Sequence, residues 1–124
     1  MARKKVLVVD DDPGFRNLIE DALSADFEVS GAKDWNEGMQ ACRGGKADVL
    51  LVDFVIPRVN GLKMVRALAR SEVTRDIPVV VVTASYLDSV TRRALSQANV
   101  RRTVDKLAGV RAVRQALMHA APIG

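Results

Sequence analysis

Val6-Leu7-Val8-Val9-Asp10-Asp11-Asp12-Pro13 decides how the rest of the chain is read. An unbroken apolar run, rich in β-branched residues, closes on acids and a proline. A strand with one face in water would alternate with polar residues, so a continuous run indicates a strand covered on both faces, as in a parallel sheet. Asp12 supplies a helix N-cap and Pro13 a tolerated first-turn residue. Phe15, Leu18, Ile19, Ala22 and Leu23 then recur at helical spacing. The opening is therefore a strand, a polar turn and an amphipathic helix.

The same unit repeats outward along the chain. Phe27–Ser30 reads as a short second strand, and Asp34 caps a helix with Trp35, Met39 and Cys42 inward, ended by Gly44-Gly45. Val49–Val52 forms the third strand and delivers Asp53. The loop Phe54–Asn60 closes on the turn signal Asn60-Gly61, and Leu62, Val65, Leu68 and Ala69 mark a third helix. Ile77–Val82 delivers Thr83. Leu87, Val90 and Ala94 indicate a fourth helix, Val100–Val104 a weaker fifth strand ending near Lys106, and Val110, Val113 and Leu117 a fifth helix. Five β-α units with right-handed crossovers imply an α/β fold, a doubly wound five-stranded parallel sheet with helices on both faces. The reading assigns residues 1–124 to a single domain with no effector domain.

Of the 124 residues, 48% are apolar and 27% charged, which suits one packed core and argues against disorder. The lone Cys42 has no intrachain disulfide partner, which fits a reducing, cytoplasmic setting. The basic Met1-Ala2-Arg3-Lys4-Lys5 is followed by too short an apolar run for a signal peptide, and no stretch is long enough to span a bilayer. The net charge of +4 is concentrated late: beyond Val90 come Arg92, Arg93, Arg101, Arg102, Lys106, Arg111 and Arg114 against Asp105 alone. Few aromatic residues accompany these arginines, so direct nucleic-acid binding is not expected. A docking surface for an acidic partner and a set of solvated helix faces both fit them.

In an open parallel sheet, ligands bind at the carboxyl ends of the strands, where strand order reverses. With order 2-1-3-4-5, Asp10, Asp11 and Asp53 share one cleft, with Thr83 and Lys106 at its rim. Three clustered carboxylates repel unless some protonate or a cation intervenes. Mg²⁺ prefers oxygen ligands and is held by one or two carboxylates plus phosphate oxygens, with Mn²⁺ as an alternative. Asp53 is then a candidate acceptor of a phosphoryl group. The metal would neutralise one phosphoryl oxygen, Lys106 a second, and Thr83 would hydrogen-bond a third. Taken singly, Asp12 is an ordinary N-cap, Asp53 a turn residue, Thr83 a strand-end hydroxyl and Lys106 a surface lysine; their conjunction at successive strand ends is the specific signal.

These motifs resemble the receiver domain family of two-component signalling, in its stand-alone, chemotaxis-regulator-like form. Val6–Pro13 resembles the family's first strand and acidic pair, Asp48–Asp53 with Ile56-Pro57 and Asn60-Gly61 its phosphoacceptor strand and loop, and Ile77–Ala84 its switch strand. The resemblance covers essentially the whole chain. It implies a flavodoxin-like fold, Asp53 as phosphoacceptor, and Mg²⁺ held by Asp10, Asp11, Asp53 and the backbone carbonyl of Val55. It implies that Thr83 and Lys106 contact the phosphoryl group. It further implies a histidine kinase or phosphotransfer protein as donor partner, use of small phosphodonors, an output protein as target, and no membrane. Receivers of this kind act as a monomer or weak homodimer and catalyse only their own phosphorylation and dephosphorylation. Their switching surface is helix four, strand five and helix five, which places Arg92, Arg93, Arg101, Arg102, Arg111 and Arg114 as a partner surface.

The chain departs from the family pattern in three places. Leu107 follows the lysine where proline is usual, and Thr83 and Lys106 are one residue further apart. Thr103 stands where strand five usually carries an aromatic residue, for which Tyr86 is a conceivable substitute. Val55 and Ser85 occupy positions that tune dephosphorylation, and the apolar Val55 leads to an expectation of slow unaided hydrolysis. One rival reading is therefore a pseudo-receiver, a phosphorylation-independent interaction module. A second is an Asp-nucleophile phosphatase of the haloacid dehalogenase type, for which Asp10 and Asp12 have the spacing but no cap-sized insertion exists. A flavin or nucleotide carrier is the weakest, since acids stand where a phosphate-binding loop would be.

Overall fold

The computed structural model describes residues 3–55, 60–84 and 86–121. Its elements alternate as β1 (Lys4–Val9), α1 (Pro13–Leu23), β2 (Phe27–Ala32), α2 (Trp35–Arg43), β3 (Val49–Asp53), α3 (Gly61–Arg70), β4 (Val79–Thr83), α4 (Ser89–Ser96), β5 (Val100–Asp105) and α5 (Val110–Ala120). A short 3₁₀ turn, Lys106–Ala108, joins the last two. All strands are parallel, in the order β2-β1-β3-β4-β5. Among the described residues no helix is long and apolar enough to cross a membrane.

The unbroken apolar runs are explained by two cores, one on each side of the sheet. Leu7, Val9, Leu50, Val52, Val79 and Val81 pack with Cys42, Met64, Val65, Leu68 and Leu95. Val6, Val8, Val49, Leu51, Val80 and Val82 pack on the other side with Ile19, Leu23, Val113 and Leu117. Successive residues of a strand face opposite sides, so only a strand covered twice can be apolar throughout.

Polar side chains start the helices where the sequence places them. Asp12 accepts from the Gly14 N–H, Asp34 from that of Glu37, and Asn60 from those of Leu62 and Lys63. At Gly61 a Cβ would collide with the Phe54 carbonyl oxygen and ring, so this turn requires glycine. The fourth helix differs from expectation. Asp88 caps it by accepting from Thr91, so Leu87 precedes the helix, Val90 is 76% exposed, and Leu95 is its buried residue. The start set by the cap decides which face turns inward.

β5 is the irregular strand. Val79 pairs with Val100 but Val80 pairs with Arg102, so Arg101 is an extra residue, a β-bulge. Beyond it the register is regular to Thr83 opposite Asp105.

Candidate functional site

β1 and β3 are neighbours, so their carboxyl ends bring Asp10 and Asp53 together. Asp10 is fully buried and Asp53 nearly so, while Asp11 is exposed. Carboxylate oxygens of Asp10, Asp11 and Asp53 lie within 4.8 Å of one another, a spacing that fits one divalent cation with oxygen ligands. Backbone N–H groups aim two of these side chains: Asp12 donates to Asp10 Oδ1 and Val55 to Asp53 Oδ1, each at 2.9 Å. The Arg16 guanidinium donates to the Asp10 carbonyl oxygen.

Lys106 stands between the two buried carboxylates. Its Nζ donates to Asp10 Oδ2 at 2.8 Å and to Asp53 Oδ2 at 3.0 Å. It also lies 4.5 Å from the centroid of the Phe15 ring. The lysine is thus inside the cleft and bridges it, a more central place than the rim expected from sequence. Burial pushes the Asp10 carboxyl up and the nearby Asp53 charge adds to this, while hydrogen bonds from Lys106 and the Asp12 N–H pull it back; the net direction is upward. For Lys106, burial acts downward, but the hydrogen bonds to Asp10 and Asp53 outweigh it and hold the ammonium above its ordinary range.

Thr83 ends β4 beside this cluster and is buried. Leu107 is 82% exposed on the turn after β5, where Asp105 accepts from its N–H at 2.8 Å, and no described peptide bond is cis. The turn is held by that side-chain bond, with no proline. Thr103 lines a recess of about 290 Å³ with Thr83, Ala84, Tyr86, Arg92, Val104 and Asp105, while Tyr86 itself is 89% exposed. Ile56, Pro57 and Ser85 lie outside the described residues. Of the arginines, Arg92, Arg93, Arg101, Arg102 and Arg111 are exposed. Arg114 instead pairs with Asp26, just before β2, through two hydrogen bonds of 2.8 and 2.9 Å. Phe15 is a site residue that the sequence alone does not reveal, since there it reads only as part of a helix's apolar face.

A family model described as the response regulator receiver domain matches residues 6–118. Phosphate regulon transcriptional regulatory protein PhoB of Pseudomonas aeruginosa is 34% identical over 85 residues, 68% of this chain and 37% of that protein. Hybrid signal transduction histidine kinase D of Dictyostelium discoideum is 35% identical over 101 residues, 82% of this chain and 6% of that protein. The chain thus spans little more than a third of the PhoB relatives it matches, and far less of the kinase. Among solved structures, Vibrio cholerae chemotaxis protein CheY4 superposes with a TM-score of 0.85 at 22% identity, covering 96% of this chain and 99% of that one. Thermotoga maritima TrrA, solved with Mg²⁺ and BeF, gives 0.77 at 24% identity, covering 94% and 98%.

Proposed function

The chain belongs to the response regulator receiver domain family, and from that premise we propose that Asp53 accepts a phosphoryl group in two-component signalling. The observation that carries this reading is the cluster itself: Asp10, Asp11 and Asp53 within ligand distance of one cation, with the Lys106 ammonium bridging Asp10 and Asp53. The donor set suits Mg²⁺, which Asp10, Asp11, Asp53 and the Val55 carbonyl would hold. When bound, the metal neutralises phosphoryl charge and fixes an oxygen of the incoming group.

The chain's own residues do the rest. An Asp53 carboxylate oxygen attacks phosphorus; the bond from phosphorus to the donor atom breaks, an oxygen in an acyl phosphate or a ring nitrogen in a phosphohistidine, and that atom leaves with its electron pair. With acetyl phosphate as donor, acetate departs. The Val55 N–H holds Asp53 Oδ1 and so orients the attacking carboxylate. Lys106 is already hydrogen-bonded to Asp53, so a phosphoryl group there has a cation beside it. Thr83, buried at the end of β4, offers a hydroxyl to a further phosphoryl oxygen. In a cell the donor would be a histidine kinase or phosphotransfer protein, in the cytoplasm. The output would pass to a protein target through α4, β5 and α5, where Arg92, Arg93, Arg101, Arg102 and Arg111 are exposed. The pairing with Asp26 gives Arg114 a structural task and makes it the weakest member of that set.

The test is intact mass after incubation with Mg²⁺ and acetyl phosphate. One phosphoryl adduct is expected, absent without Mg²⁺ and absent in Asp53→Asn. No adduct, together with no binding of beryllium fluoride, would leave a phosphorylation-independent interaction module.

A further inference from the structure

A second concave surface lies away from the acidic cluster. Trp35, in the first turn of α2, and one face of α3 border a shallow, open groove of about 580 Å³ lined by Asn60, Lys63, Met64, Arg66, Ala67 and Arg70. Its floor is apolar, made by Trp35, Met64 and Ala67. Its rim is cationic, and α3 contains no carboxylate at all. Lys63, Arg66 and Arg70 are exposed, and none has an ion pair among the described residues. Contrast α2, where Glu37 pairs with Lys33 four residues earlier. Repeating cations one and two turns apart, without local acids, leave an uncompensated positive stripe beside an apolar floor.

We propose that this groove docks an acidic, amphipathic segment of a partner protein. Charge complementarity selects the occupant. Lys63 and Arg70 are seven residues apart, about 10 Å along a helix axis at roughly 1.5 Å per residue. Cations spread over that length do not converge on one compact anion as a phosphate cradle does. They match carboxylates strung along a peptide at a similar interval. The Trp35–Met64–Ala67 floor needs apolar side chains between those carboxylates, a requirement that a purely anionic polymer does not meet. The groove is separate from the α4-β5-α5 face and does not depend on phosphoryl transfer at Asp53.

Trp35 is the only tryptophan in the chain, so its fluorescence reports occupancy of the groove directly. The full chain is titrated with a synthetic peptide bearing glutamates one and two helical turns apart and leucines on the same face. A saturable shift in emission is expected, with affinity falling as salt rises. Lys63→Glu combined with Arg66→Glu should weaken binding about tenfold or more, with circular dichroism and Asp53 phosphorylation unchanged. Both positions are exposed, so the fold should tolerate them; Arg70→Gln provides a milder second variant, expected to weaken binding less. Asp53→Asn should bind the peptide normally, which separates this proposal from the phosphoryl-acceptor reading. The proposal is overturned if the peptide leaves Trp35 emission unchanged, or if the charge reversals do not weaken it. It is equally overturned if polyglutamate, an oligonucleotide or anionic vesicles bind the groove more tightly than the peptide. Concentration-dependent dimerisation through the same residues would assign the groove to a second copy instead.

Discussion

β3 and β5 both end in the acidic cleft, yet they reach it in different ways. Every residue of β3 is buried, its register to β1 and β4 is one-to-one, and Asp53 follows the apolar run directly. β5 is an edge strand, half exposed, bulged at Arg101, and paired only with β4. It nevertheless places Lys106 within hydrogen-bond distance of Asp53. β3 is thus fixed by full burial on both faces, whereas β5 is less deeply packed, with Val100 and Val104 only partly buried, and has additional ties at its far end: Asp105 caps the following turn, and Lys106 is held by Asp10, Asp53 and the Phe15 ring.

The largest effect should come from removing that anchor. Lys106→Met keeps the unbranched stem of the side chain up to Cε and deletes the ammonium. Phosphorylation by acetyl phosphate should slow about 100-fold, while Mg²⁺ binding persists because the carboxylates remain. The metal-free domain should lose about 1–3 kcal/mol at neutral pH, measured by urea unfolding. The sign in pH follows from the two shifts. Lys106 is held above its ordinary 10.5 by Asp10 and Asp53, so its own titration removes the stabilising contribution only above that value, and at the acid end the contribution lasts while those carboxylates stay charged. Asp10 is raised above its ordinary 3.8, so its charged form is disfavoured in the fold, and stability declines as pH rises through the carboxylate range. Without the lysine that decline steepens. The variant's deficit should therefore shrink as pH falls toward 3.8 and Asp10 protonates. A deficit independent of pH would show that Lys106 acts by packing, and the contrast between the strands would then lie in shape more than in charge.

A smaller effect tests burial alone. Val82 and Val104 are the same residue, paired across the β4–β5 ladder and touching the same core. Val82 is fully buried and Val104 only partly. Val82→Ala should cost about 2 kcal/mol and Val104→Ala about 1 kcal/mol or less, as shifts in urea midpoint at unchanged slope. Equal costs would mean that the edge strand is packed as tightly as the strand beside it.

The same contrast governs what the sequence revealed. β1, β3 and β4 were legible because burial on both faces leaves a signal of unbroken apolar residues, and Asp10 and Asp53 follow as the residues next in line. The caps Asp12 and Asp34 were legible because their chemistry is local. The bulge was not, since Val100-Arg101-Arg102-Thr103-Val104 reads equally well in either register until β4 is beside it. Val90 belongs to the apolar spacing in the sequence but faces solvent, because the cap at Asp88 sets where α4 starts and so which face turns inward. Thr74 is not legible in the sequence, because a threonine in a loop carries no sign that its hydroxyl will be buried, donating to the Leu68 carbonyl at 2.7 Å. Phe15 was placed on the right face of α1, but its contact with Lys106 depends on two elements at opposite ends of the chain.

The smallest effect should come from deleting Arg101. If the bulge only takes up a surplus residue, its removal joins Val100 opposite Val79 directly to Arg102 opposite Val80, and everything beyond stays in register. Thr103 still faces Val81, Asp105 still faces Thr83, and Lys106 still reaches Asp53. The losses are the bond from Arg101 Nε to Asn99 Oδ1 and the relief that the bulge gives at the edge. Stability should change by about 1 kcal/mol or less, and the rate of phosphorylation by a few-fold at most. A one-residue deletion inside β3 offers no such slack, because shifting a strand by one residue exchanges its two faces and inverts every following side chain between the cores. Should deletion of Arg101 abolish phosphorylation while the domain stays folded, the bulge would be a positioning device for Lys106, and the edge strand would be as tightly specified as the central one.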